Sequence, residues 1–193
     1  IQKGIGQLRL VAQAEGYLGV AYRYAKQYDK AVEHLNHSLQ LMNTLDSPLQ
    51  YATLQMELGI TYWYLERYED ALAVYAQCEP VFLKSGAKLI LAHLYNNRGL
   101  ALRDLDRIEE ARNSFLVSIE MMRELGLSLW VANAMESLGG LYQRVGDLDE
   151  AVNTWQQALK ELAKLQEVPF YFQDLITRRI TEALEVQGKL APS

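Results

Sequence analysis

The chain has 193 residues, of which 50% are hydrophobic and 22% charged, with a net charge of −5. This length and apolar content suit one domain with a real core and exclude a disordered chain, and no apolar run reaches the roughly 20 residues that span a bilayer. The acidic balance argues against a nucleic-acid binder, which needs clustered Lys and Arg to displace counterions, and a single cysteine, Cys78, excludes an intrachain disulfide or a cysteine-based zinc cluster.

Read from its start, the chain repeats one pattern at a spacing of 40 residues. In the first copy, about 8–47, Leu18, Gly19 and Tyr22 stand at i, i+1 and i+4. Tyr28, Ala31, Val32, Leu35 and Leu39 then follow at i, i+3, i+4, i+7 and i+11. Each set is one apolar stripe on an α-helix, which predicts helix A over 8–25 and helix B over 28–44. The second copy, about 48–87, opens on Ser47-Pro48, a helix start with Pro at the first position, and carries Leu58, Gly59, Tyr62, Tyr68, Ala71, Tyr75 and Cys78. The third, about 88–127, has Gly99, Leu102, Ile108, Ala111, Phe115 and Ser118. The fourth, about 128–167, has Leu138, Gly139, Tyr142, Leu148, Ala151, Trp155 and Ala158. Asp106 with Glu109, and Asp147 with Glu150, predict N-caps of helix B, while Gly86 and Gly126 predict left-handed C-caps. The register fails after residue 168, yet Phe170, Phe172, Leu175, Ile176 and Ile180 mark another apolar face. That predicts a capping helix over about 169–187, and 188–193 read as a frayed tail.

The recurrent glycine has a steric meaning. Glycine inside a helix costs about 1 kcal/mol relative to alanine. Its return at 19, 59, 99 and 139 implies that helix B approaches helix A closely there. One hairpin cannot bury such stripes alone, so the copies are expected to stack.

Leu18-Gly19-x-x-Tyr22 followed by Tyr28-x-x-Ala31-x-x-x-Leu35-x-x-Ser38 resembles the tetratricopeptide repeat signature, and the other three copies match it. The period of 40 exceeds the usual 34, as in the long repeats of kinesin light chains, Leu-Gly-Asn-rich adaptors and sensor domains of bacterial regulators. Arg98 departs from the pattern by standing where leucine precedes the glycine. The resemblance implies an all-α fold, a right-handed α-solenoid of four helical hairpins plus a C-terminal capping helix, spanning 1–193 as one domain. It also implies a concave groove lined by helix A.

Carried onto this sequence, the groove positions we select for peptide binding are Tyr17, Arg23 and Tyr24; Met56, Trp63 and Tyr64; Asn96, Asn97 and Arg103; and Asn133, Gln143 and Arg144. The first half is aromatic and suits interface anchoring. The second is amide-rich, and Asn97 resembles the asparagine with which long-repeat relatives hold a ligand's backbone amide, since a carboxamide both donates and accepts. A carboxylate clamp fits less well, because Glu57, Asp104 and Glu136 interrupt the basic residues.

No catalytic constellation emerges. His34 and His37 at i and i+3 lack further metal ligands, Cys78 takes a small-residue packing position, and the acidic doublets 69–70, 109–110 and 149–150 recur where negative charge complements a helix N-terminus. We therefore expect no enzyme activity, no cofactor and no metal. The expected partner is a protein or peptide, with no nucleic acid and no membrane, and self-association through the solenoid ends is a further possibility. The alternative is a sensor or regulatory domain of a larger bacterial protein that binds an effector or adjoining domain. Ile1 in place of Met leads us to expect a segment of a longer, cytoplasmic protein.

Overall fold

The computed structural model describes residues 2–189, of which the side chains of 2 and 3 are not considered further; the tail residues 190–193 lie outside the described residues. Nine α-helices and no strand occur among them: α1 (Gln2–Tyr24), α2 (Tyr28–Met42), α3 (Pro48–Tyr64), α4 (Tyr68–Ser85), α5 (Lys88–Asp104), α6 (Ile108–Glu124), α7 (Ser128–Arg144), α8 (Leu148–Leu162) and α9 (Phe170–Val186). The B helices start at 28, 68, 108 and 148, and α3, α5 and α7 start at 48, 88 and 128, so the sequence period is the structural period. Helix α1 begins earlier than the expected residue 8.

The chain divides into two compact units, Ile1–Ala101 and Leu102–Ser193. In the first, α1 packs on α2, α2 on α3, and α3 on α4, with α1 also touching α3. Its core holds one cluster of Ala12, Met42 and Leu45, and another of Leu35, Leu39 and Leu58. In the second, α6 packs on α7, α7 on α8, and α8 on α9. Phe172, Ile176 and Ala183 are the buried residues of α9, so its apolar face is inward as its spacing predicted.

The glycine register is a point of close contact in the first, second and fourth hairpins. A Cβ on Gly19 would lie 2.6 Å from Leu35 Cγ, and one on Gly59 would lie 2.5 Å from Tyr75 Cε1. One on Gly139 would strike the indole of Trp155, 2.6 Å from Cδ1 and 2.7 Å from Cε2. All three fillers are buried. The small register residue adds a polar tie: Ser38 Oγ donates to the Ala12 carbonyl at 2.6 Å, and Cys78 Sγ to the Ala52 carbonyl at 3.3 Å. Burial pushes the Cys78 thiol up to about 12, so it stays protonated.

The turns between helices A and B share one geometry. Lys26, Glu66, Asp106 and Gly146 occupy the same register and all have positive φ, from 57° to 81°. In the first turn Gln27 N–H donates to the Tyr22 carbonyl and Lys26 N–H to that of Arg23. This is the Schellman pattern, and it recurs at 62–67, 102–107 and 142–147. Asp106 is therefore not the N-cap that its spacing to Glu109 suggested. It aligns with Gly146, one residue earlier than Asp147, and Arg107 takes the N-cap position without a side-chain cap. Asp147 does cap α8, accepting from Glu150 N–H. Pro48 stands at the start of α3, and Gly86 and Gly126 are left-handed as expected. Leu18 differs from its counterparts: it is 45% exposed, whereas Leu58 and Leu138 are buried. Leu58 packs against Leu35 and Leu39 of the preceding hairpin, and no helix precedes α1 among the described residues.

Two adjacent glycines of α7 give a test of opposite signs. Gly139→Ala is expected to destabilise unit 2 by about 2 kcal/mol through overpacking on Trp155, whereas Gly140→Ala, with open space at its Cβ, is expected to stabilise it by up to about 1 kcal/mol. Urea melts of the two variants check this. The Cys78 thiol is expected to react with a thiol-specific dye only as the chain unfolds, at least a hundredfold slower than in denaturant; rapid labelling of the native chain would contradict its burial.

Candidate functional site

In unit 1 the A helices present an aromatic surface organised around one ion pair. Arg23 on α1 and Glu57 on α3 meet at 2.7 Å, and Arg23 is buried while Glu57 is partly exposed. Such a pair contributes little net stability, but losing one partner strands a charge in a desolvated place. The guanidinium lies 4.9 Å from the Tyr24 ring centroid and 5.9 Å from that of Tyr64, so it is flanked by aromatic faces. Tyr64 also stacks on Tyr28 at 5.4 Å and meets Trp63 edge-on at 4.9 Å. Arg23 is held by neighbours on both helices and in turn holds the rings.

Of the residues selected from sequence, Tyr17, Tyr24 and Tyr64 are 75%, 76% and 44% exposed, and Trp63 is half-buried. Met56 is buried, as is Arg23. Asn96 and Asn97 on α5 are half-buried, and Asn96 Oδ1 has no hydrogen-bond partner. Two hollows adjoin these groups. One, of about 400 Å³, lies between α1 and α3 and is bordered by Gln13, Tyr17, Val20, Leu54 and Glu57. The other, of about 70 Å³, is bordered by Ile60, Trp63, Tyr64, Tyr75, Asn97 and Leu100. The structure thus brings Tyr17 beside one hollow and gathers Trp63, Tyr64 and Asn97 around the other.

In unit 2 the selected residues are engaged differently. Arg103 pairs with its neighbour Asp104 at 2.8 Å, and Arg144 Nη2 lies 2.9 Å from Asp106. Gln143 accepts from Arg179 of α9 at 3.4 Å, while Asn133 is exposed. The Arg179 guanidinium also approaches Glu136 at 2.7 Å and lies 5.8 Å from the Trp155 ring. Helix α9 therefore reaches Gln143, one of the positions selected for the groove, and also Glu136 on the same helix.

Sequence reasoning assigned Tyr75 to packing alone. It is buried, its hydroxyl has no hydrogen-bond partner, and it borders the smaller hollow. A signal was present: it is the one hydroxyl-bearing residue at a position filled elsewhere by Leu35, Phe115 and Trp155.

His34 and His37 do not gather a wider ligand set. Glu15 takes both, at 2.6 and 3.2 Å, and the His34 hydrogen bond holds the Glu15 carboxyl below its ordinary range. No group of three or more His, Cys, Asp or Glu placed to hold a metal occurs among the described residues. No helix among them is long and apolar enough to cross a membrane.

This repeated hairpin geometry has known counterparts. A subunit 4 of the outer dynein arm-docking complex from Danio rerio is 22% identical over 143 residues, 70% of this chain and 29% of that protein. The structure of BtubC (BKLC) from P. vanneervenii superposes with a TM-score of 0.79 at 18% identity, covering 97% of this chain and 82% of that one. The Rap conjugation gene regulator of plasmid pLS20, solved in complex with the Phr* peptide, gives a TM-score of 0.79 at 17% identity, covering 98% of this chain and 52% of that one. The chain thus spans less than a third of the dynein-arm relative and about half of the Rap protein. The tetratricopeptide repeat model matches residues 10–84 and 90–160, more than half of the sequence, and the chain belongs to that family.

Proposed function

We propose that the chain is a non-catalytic protein-interaction module that binds a peptide segment or helix along the face formed by its A helices. One observation carries this reading: Tyr24 and Tyr64 are exposed on either side of the Arg23 guanidinium, and Tyr17 stands mostly exposed at the hollow that Glu57 also borders. Tyrosine supplies large contact area with few rotamers to freeze, which makes it an efficient anchor. The hollow of about 400 Å³ beside Tyr17 has the size of a side-chain pocket. Asn97, three residues from Leu100 on α5, is available to grip a ligand's backbone through paired donor and acceptor. The Rap protein's complex with a peptide supports the reading by fold alone. In unit 2, Asn133 and Arg144 are the remaining exposed candidates for ligand contact.

The test uses a random peptide library displayed on phage. Peptides selected on the wild-type chain are expected to bind Tyr24→Ala or Tyr17→Ala at least tenfold more weakly, with the melting temperature changed by less than about 2 °C. Unchanged affinity in both variants would remove the aromatic face from the binding role.

A further inference from the structure

The fillers of the close-contact register, Leu35, Tyr75, Phe115 and Trp155, are all buried. Leu35 and Phe115 carry no polar atom, and the indole N–H of Trp155 donates to the Glu136 carbonyl at 3.2 Å. Tyr75 alone among them keeps an unmet donor: it is 1% exposed, and no group among the described residues accepts from its hydroxyl. An unmet buried hydroxyl is costly, and phenylalanine would remove the cost without loss of packing. Phe115 shows that the register accepts that residue.

The ring is also held at a particular place. The Tyr75 ring leaves α4 and crosses α3 at Gly59, where a Cβ would come within 2.5 Å of Cε1 and 3.2 Å of Cζ. Tyr75 also borders the hollow of about 70 Å³ whose other lining residues include Ile60 and Trp63 of α3 and Asn97 and Leu100 of α5. That space is equivalent to about two water molecules, enough for a small polar group and too small for an aromatic ring.

Resting on the peptide-binding reading above, we infer that Tyr75 determines specificity: its hydroxyl donates to the carbonyl of an Asn or Gln side chain of the bound peptide, inserted beside Asn97. The carboxamide fits because it has two ends. Its oxygen accepts from Tyr75, and its amide N–H meets the Asn97 side-chain oxygen. The apolar walls then cover the methylene of the inserted side chain. A carboxylate is disfavoured, because burial and the charge of Glu57 already act against negative charge at this phenol and push its ionisation upward. The hydroxyl therefore remains a neutral donor.

The phage-displayed random library is selected in parallel on the wild type and on Tyr75→Phe, whose melting temperature is expected to equal or exceed that of the wild type. Wild-type peptides are expected to share Asn or Gln at one position, and Tyr75→Phe to lose that preference. A selected peptide is expected to bind Tyr75→Phe about tenfold more weakly. Replacing its amide residue by Leu is expected to weaken wild-type binding similarly and to add no further loss in the variant. Enriched peptides without an amide preference, or with the same preference on both proteins, would overturn the role of Tyr75 and leave peptide binding standing. Absence of any enriched peptide on the wild type would overturn both.

Discussion

The contact between a glycine of helix A and a large side chain of helix B is the constraint on which the first, second and fourth hairpins depend. At Gly19, Gly59 and Gly139 the space a methyl group would take is already filled by Leu35, Tyr75 or Trp155. A glycine in a helix loses about 1 kcal/mol of propensity, and burying the filler returns more than that. The two helices are drawn together at one height, and the polar ties from Ser38 and Cys78 hold them there. The Schellman turns then fix how helix B leaves helix A, since the same residue of each turn is left-handed.

Fixing the hairpins leaves the outward faces of the A helices to vary. In unit 1 that freedom is spent on aromatic rings arranged about Arg23 and Glu57. The ion pair spans α1 and α3, so the orientation of the rings is tied to the packing of successive hairpins. In unit 2 the corresponding surface is more charged, and α9 places Arg179 against Glu136 and Gln143. Repeats with the same period of helix starts and the same turn geometry thus present different chemistry.

Much of the architecture could be read from the sequence because it rests on periodicity. Register positions 19, 31 and 35 and their counterparts obey helical spacing, and the capping helix showed itself by the same rule at Phe172 and Ile176. The turn chemistry was misread at Asp106 because an acidic residue with Glu three places later imitates a capping box, whereas the left-handed register becomes evident only when Asp106 is set against Gly146. Surface residues were harder to place. Tyr17 and Arg23 both lie outside the packing signature, yet one is exposed and the other buried, because Glu57 on the next hairpin draws Arg23 inward. Such a pairing links residues 34 apart and leaves no local trace. Tyr75 was hidden for the opposite reason: it obeys the packing pattern so well that its hydroxyl went unregarded.

The range of fillers across the register has an evolutionary consequence. Leucine, tyrosine and tryptophan differ greatly in volume, yet each sits over the same backbone gap, so the gap tolerates whichever neighbour has adapted to it. After a tandem gene duplication, each copy could therefore drift in the interior of its own hairpin while the joints between copies stayed interchangeable.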